Sequence, residues 1–180
     1  MLVLAGIYSG SNVQAQGTNY ARSATATAVS YQAPWNWQRI NDGSKSSCGN
    51  QESFVWTSGS ATPTPYMQWQ WSKKIAINQF VIYHAQATTR YLLGGTIQRY
   101  DGSKWVNHHS WTNSTQTCVT TIDFDVIVGD RVRITNFVYG TGQRSNPNFM
   151  EIEIYVTTFG TNNAGISGIT PLNPCVDVQD

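Results

Sequence analysis

The stretch "INDGSKSSCGNQES" (residues 40–53) carries residue types suited to holding a hard cation. Calcium takes roughly six to eight oxygen ligands from carboxylates, carbonyls and hydroxyls. Asp42 supplies a carboxylate, Gly43 permits a tight turn that aims neighbouring carbonyls inward, and Ser44, Ser47 and Ser53 add hydroxyls. The D-x-D-x-D-G order of an EF-hand is absent, and spacing alone favours a solvated Asn-Asp-Gly turn. Two other sets invite a chemical reading. His108 and His109 are adjacent in the strand-like "KWVNHHSW" and are expected on opposite faces, which argues against a shared zinc. Asp123 and Asp125 in "IDFD" fall on one strand face, whereas a glycosidase separates its two carboxylates across a cleft. They read as solvent-facing neighbours. The sequence has no nucleophile elbow, H-E-x-x-H or phosphate loop. The reading is therefore of a protein that binds and is not an enzyme.

The tetrapeptide "DGSK" occurs twice, at Asp42–Lys45 and Asp101–Lys104. The second copy lies between "LLGGTIQRY" and "KWVNHHSW", and Asp-Gly tolerates positive φ, so this copy predicts a hairpin turn. The first is followed by polar and small residues and predicts a structured loop. The flanks share nothing further, which excludes a repeat.

The elements that would position these loops are strands. Among 180 residues only 12% are charged while 12% are aromatic, with seven Trp and nine Tyr. Such a composition suits an all-β extracellular domain. A net charge of +1 offers no electrostatic case for nucleic acid or an anionic membrane. "ARSATATAV", "YMQWQW", "IAINQFVIYHA", "GGTIQRY", "KWVNHHSW", "CVTTIDFDV", "DRVRITNF" and "FMEIEIYVTTF" read as strands, with turn signals such as Gly94-Gly95 and Gly129-Asp130 between them. About eight short strands without sustained helical periodicity predict an antiparallel sandwich or barrel.

The N-terminus is expected to be a secretory signal, residues 1–15, cut after Ala15 in "VQA", though it lacks a basic n-region. That implies a secreted or cell-surface location, where disulfides are permitted. Of Cys48, Cys118 and Cys175, the first two could pair within the domain, leaving the third over. Residues 16–158 read as the domain. Residues 159–180 are rich in Gly, Asn and Pro and read as a linker into further modules of the same polypeptide.

The order of the motifs "ARSATATAVS", "INDGSKSS…FVW", "YMQWQW", "IAINQFVIYHA", "QRYDGSKW" and "NFMEIEIY" resembles the coagulation-factor type C (discoidin) domain and the family 32 carbohydrate-binding modules. The resemblance spans about residues 19 to 157. It departs where the usual "V-D-L-G" becomes "WQWS", with Gln70 and Ser72 in place of Asp and Gly.

The resemblance implies an all-β, antiparallel jelly-roll sandwich of the galactose-binding type that binds a glycan without catalysis. It adds Glu151 of "MEIEIY" to Asp42, Ser44 and Ser53 as holders of a structural Ca2+. It also places the ligand site on loops at one end of the sandwich. A neutral sugar wants an aromatic face for its C–H side and polar groups for each hydroxyl. The residues expected on those loops are Trp35 and Trp37, His84, Gln86 and Arg90, and Asn136 with Arg144 and Asn146. Trp37 is equally readable as core and His84 as a rim histidine, and Arg90 as a donor bridging loops. The alternative function is an adhesion module binding protein or lipid through the same loops. Lipid is the weaker choice, since only Arg39 is basic near the two tryptophans.

Overall fold

The computed structural model describes residues 17–29, 39–45, 56–57, 65–84, 92–114, 117–139 and 148–157. A short 3-10 turn, Tyr20–Ser23, is followed by seven strands: β1 Thr25–Ala28, β2 Trp56–Thr57, β3 Met67–His84, β4 Leu92–Tyr100, β5 Trp105–Thr112, β6 Val119–Tyr139 and β7 Asn148–Tyr155. Every pairing is antiparallel, in the order β2-β7-β3-β6-β4-β5, with β1 on β3. The expected all-β jelly-roll sandwich is the fold observed.

Two long strands build both layers. In β3, Met67–Gln70 pairs with β1 on one side and with Arg131–Ile134 of β6 on the other. After a register break between Gln70 and Ile75, the rest of β3 pairs with β7 and with the first half of β6. One layer is thus β1, the start of β3, the end of β6, β4 and β5. The other is β2, β7, the end of β3 and the start of β6. The sequence predicts "YMQWQW" and "IAINQFVIYHA" as separate strands, and Gly129-Asp130 as a turn. Instead the chain bends between layers without leaving the ladder, at exposed Ser72–Lys74 and opposite them at Asp130. Bulges permit this, because an unpaired residue bends the strand and raises its twist.

The alternation in the sequence fills the space between the layers. Met67, Trp69 and Trp71 point inward while Gln70 is exposed. Trp69 meets Phe80 edge-on at 5.6 Å, and Phe80 meets Phe124 at 5.6 Å. Ile77, Ile82, Ile97, Ile134, Ile152 and Ile154 complete a core from which solvent is excluded. A second bulge falls at buried Asn78, whose amide Nδ2 donates to the Thr157 carbonyl (2.9 Å) while its Oδ1 accepts from the Thr157 N–H (2.7 Å). That pair satisfies the buried Asn78 amide and the Thr157 backbone groups together.

The second DGSK copy is the β4–β5 turn. Asp101 Oδ1 accepts from the Ser103 N–H, the Ser103 hydroxyl and the Lys104 N–H, each at 2.9 Å, and Gly102 takes φ +102°. These three donors, the Lys104 N–H foremost, hold the Asp101 carboxyl down to about 2.

Candidate functional site

The first DGSK copy uses the same local chemistry for a different task. Asp42 Oδ1 accepts from the Ser44 N–H (2.8 Å), and Gly43 adopts φ +84°, open to glycine without strain. Here the turn caps no hairpin. It is tied to β7, where the Ile152 N–H donates to the Ile40 carbonyl (2.8 Å) and the Gly43 N–H donates to Glu151 Oε1 (3.1 Å). The 3-10 turn closes the same region. Asn19 Oδ1 accepts from both the Ala21 N–H (3.0 Å) and the Ile154 N–H (3.1 Å). The Asn41 amide donates to the Ala21 and Ala24 carbonyls. A side chain at Gly43 would collide with the Arg22 guanidinium.

Residues 43–45 therefore cross the outer face of β7. Glu151 and Glu153 lie on that face, opposite Tyr83 and Val81 of β3, while Ile152 and Ile154 face the core. Spacing alone leaves β7 open to being an exposed edge. It is instead paired on both sides, and Glu151 is 0% and Glu153 4% exposed. Glu153 is well partnered, receiving Lys45 Nζ at 2.7 Å and the Tyr83 hydroxyl at 2.9 Å, with the Lys45 ammonium 4.8 Å over the Tyr83 ring. Burial opposes the Lys45 charge, but hydrogen bonds to Glu153 and Tyr83 outweigh it and raise its pKa above the usual lysine range.

Glu151 is the exception. Its Oε2 is buried with no hydrogen-bond partner among the described residues. Burial, with added repulsion from Asp42 and Glu153, raises its carboxyl to about 8 against the opposing pull of the Gly43 N–H and the Arg22 charge. A buried carboxylate oxygen without a partner is expensive unless a proton or cation meets it. Asp42 offers a second carboxylate, half-exposed and paired with Arg39 Nε at 3.2 Å. The Asp42 and Glu151 carboxylates, close enough to repel one another, are of the ligand type a hard cation takes. Among the described residues, no group of three or more His, Cys, Asp or Glu gathers to hold a metal. Ser47 and Ser53 lie outside the described residues. The donors present fit calcium far better than zinc.

The glycan candidates divide. Trp35, Trp37, Gln86, Arg90, Arg144 and Asn146 lie outside the described residues. His84 ends β3 and is 3% exposed, with Nε2 2.9 Å from the Thr120 hydroxyl and its ring 6.3 Å from Phe149. Burial lowers its pKa to about 4, so the ring is neutral at physiological pH. Asn136 is exposed in β6 with φ +50°, a left-handed conformation that asparagine tolerates better than most residues. Cys118 is disulfide-bonded; Cys48 and Cys175 lie outside the described residues.

The expectation that His108 and His109 face apart is overturned. Ile97 pairs with His109 and Gln98 with Asn107, leaving His108 as an extra residue in β5. Both rings consequently reach Phe124, at 5.9 Å and 6.1 Å. His108 Nε2 also lies 2.6 Å from the Asp125 carbonyl. Alternation predicts opposite faces only while the register is unbroken. Asp123 and Asp125 are exposed as expected and, with His109 and Phe124, line a shallow depression of about 350 Å³. The sequence reading passed over Lys45, Glu153 as an anchor, and Asn19. Glu151-x-Glu153 was the available signal, since two carboxylates on one strand face require a cover if that face is buried.

A sequence model of the family described as "Domain of unknown function (DUF7402)" matches residues 19–155. No curated protein matches the chain. Among solved structures, the chain is similar to chitosan-binding module 1 from a chitosanase/glucanase of Paenibacillus sp. IK-5, with 22% identity and a TM-score of 0.58. That match covers 77% of this chain and 99% of the module. It is also similar to a Clostridium perfringens module, CpGH89CBM32-5, in complex with GalNAc-β-1,3-galactose, with 13% identity and a TM-score of 0.62 over 77% of this chain and 100% of that one. A third is the family 32 carbohydrate-binding module of C. perfringens NanJ in complex with galactose, with 17% identity and a TM-score of 0.61 over 77% and 98%. At these identities the likeness establishes the shared fold.

Proposed function

The chain belongs to the DUF7402 family, and from that premise we propose that it is a non-catalytic carbohydrate-binding module. It binds neutral glycans through the loops at one end of the sandwich, as part of a secreted or surface multidomain protein. The observation that carries the reading is that the same fold, over nearly the entire length of each, makes up three modules that bind chitosan, GalNAc-β-1,3-galactose or galactose. The disulfide at Cys118 is in keeping with an oxidising compartment. Modest affinity at one module would be raised by linkage to others.

The calcium proposed for the loop is structural. Asp42, Ser44 and Glu151, with Ser53, would hold it, and its charge would neutralise the buried Glu151 carboxylate. It would thereby fix residues 40–45 against β7 and hold that end of the domain in shape.

A glycan array on the wild type and Trp35→Ala tests the glycan reading. Binding to galactose- or N-acetylgalactosamine-bearing glycans, lost in Trp35→Ala with folding intact, is the expected result. An array without signal for the wild type, alongside liposome sedimentation that pulls the protein down, would replace the glycan reading with the adhesion one.

A further inference from the structure

We propose a second binding site, on the solvent-facing surface of the layer formed by β1, the start of β3, the end of β6, β4 and β5, for polysaccharides that carry uronate carboxylates. It lies on a sheet face and does not depend on the end loops. Opposed residues of an antiparallel ladder share a face. The register sets Thr27, Gln68, Arg133, Gln98 and Asn107 in one row across five strands. Two residues along each strand, Thr25, Gln70, Arg131, Tyr100 and Trp105 form a parallel row. Five strands at about 4.8 Å spacing give a platform roughly 19 Å across, enough for a short oligosaccharide.

What these rows hold is unusual for a plain outer surface. The Arg131 guanidinium lies over the Tyr100 ring at 4.4 Å, and that of Arg133 lies over Trp105 at 4.4 Å and Tyr66 at 5.2 Å. Tyr100 and Trp105 meet edge-on at 5.4 Å. Arg133 Nε donates to Gln98 Oε1 (2.6 Å), and Gln98 Nε2 donates to Asn107 Oδ1 (2.7 Å), which locks the row. Among the described residues no carboxylate pairs with Arg133. Arg131 forms a long ion pair with Asp130 (Nε–Oδ2 3.6 Å) without a hydrogen bond, so Arg133 is the cation the site rests on.

Stacking and the glutamine hold Arg133 in place without neutralising it, and among the described residues its remaining N–H donors meet no acceptor charge. Such a fixed, planar fork matches a carboxylate. Tyr66, Tyr100 and Trp105 are half-buried, each with one face under a guanidinium, and the ring surface left over would meet the C–H side of a sugar. Gln70 and Asn107 are exposed and can meet hydroxyls. Charge complementarity therefore selects an acidic glycan. Two guanidiniums and a net charge of +1 are too little for the phosphate ladder of a nucleic acid.

The test is titration of the wild-type chain with trigalacturonate, with neutral galactotriose and a thymidine oligonucleotide as comparison probes. Arg133→Met and Trp105→Ala are measured beside it. The expected result is trigalacturonate binding that weakens as NaCl is raised and falls about tenfold or more in Arg133→Met. Neutral-glycan binding at the end loops stays unchanged in that variant, and Trp35→Ala leaves trigalacturonate binding intact, so the two sites fail separately. Heteronuclear NMR of the wild type decides the matter even if a variant does not fold: trigalacturonate must shift the Arg133 Nη–H and Trp105 Nε1–H signals. Unmoved signals, unchanged affinity in folded Arg133→Met, or galactotriose or oligonucleotide binding this face as tightly would overturn the proposal.

Discussion

Glu151→Gln should stabilise the calcium-free protein at neutral pH and remove its response to calcium, a reversal that few buried-residue substitutions would give. The magnitude follows from the carboxyl's raised value of about 8 against an ordinary 4.5. A raised carboxyl contributes fully below the unfolded value and loses that contribution as pH rises through the folded one. At pH 7 the unfolded chain has ionised Glu151 while the folded chain still holds the proton. The loss accumulated over those 2.5 pH units, at 1.36 kcal/mol each, is roughly 3 kcal/mol. Glutamine keeps an oxygen for the Gly43 N–H, does not titrate, and leaves one buried polar atom unpaired as glutamate does. In excess EDTA its melting temperature should therefore match the wild type near pH 4 and exceed it at pH 7, by about 6–10 °C for a domain of this size. Calcium at a hundred times its dissociation constant adds about 2.7 kcal/mol to whichever protein binds it. Differential scanning calorimetry across pH, in EDTA and in calcium, reads both effects. If the EDTA melting temperature of Glu151→Gln is lower at pH 7 by the same amount as at pH 4, the buried charge argument fails. If calcium raises both proteins equally, Glu151 is not a ligand.

His84, with its pKa lowered to about 4 by burial, should remain neutral well below its ordinary 6.5. The unfolded chain gains its proton first, so stability declines as pH falls from 6.5 toward 4, by roughly 3 kcal/mol at the lower end. An NMR titration of the His84 ring with a midpoint near 6.5 would contradict its burial. Gly94→Ala should destabilise the domain by about 1–3 kcal/mol, because its Cβ would be driven 2.3 Å from the Trp111 carbonyl oxygen. Gly129→Ala, with no atom of the described residues nearer than 3.9 Å, should change stability by less than about 0.5 kcal/mol, and urea denaturation of the two variants checks the contrast.

Local chemistry alone determined much of this protein. Alternation in "MQWQW" and "EIEIY" assigned inward and outward faces correctly, and Asp101-Gly102 specified its hairpin, because these depend on neighbours within a few residues. That the Asp42-Gly43 turn and Glu151 belong to one region was legible only through the motif order of a resembling family. Tertiary structure decided the rest. Whether Gly129-Asp130 turns the chain or bends it depends on the strand running beside it. Both histidines of "NHHSW" reach Phe124 because of an extra residue in the β4–β5 register, which no single strand encodes. Burial raises the Glu151 carboxyl, and a loop more than a hundred positions earlier in the chain moves it both ways, the Gly43 N–H lowering it and Asp42 raising it. The arginine row exists only because three separated strands set Gln68, Arg133 and Gln98 side by side. Side-chain alternation is written in the backbone's own period, whereas register and burial are set by contacts distant in sequence, whose partners the chain must first bring together.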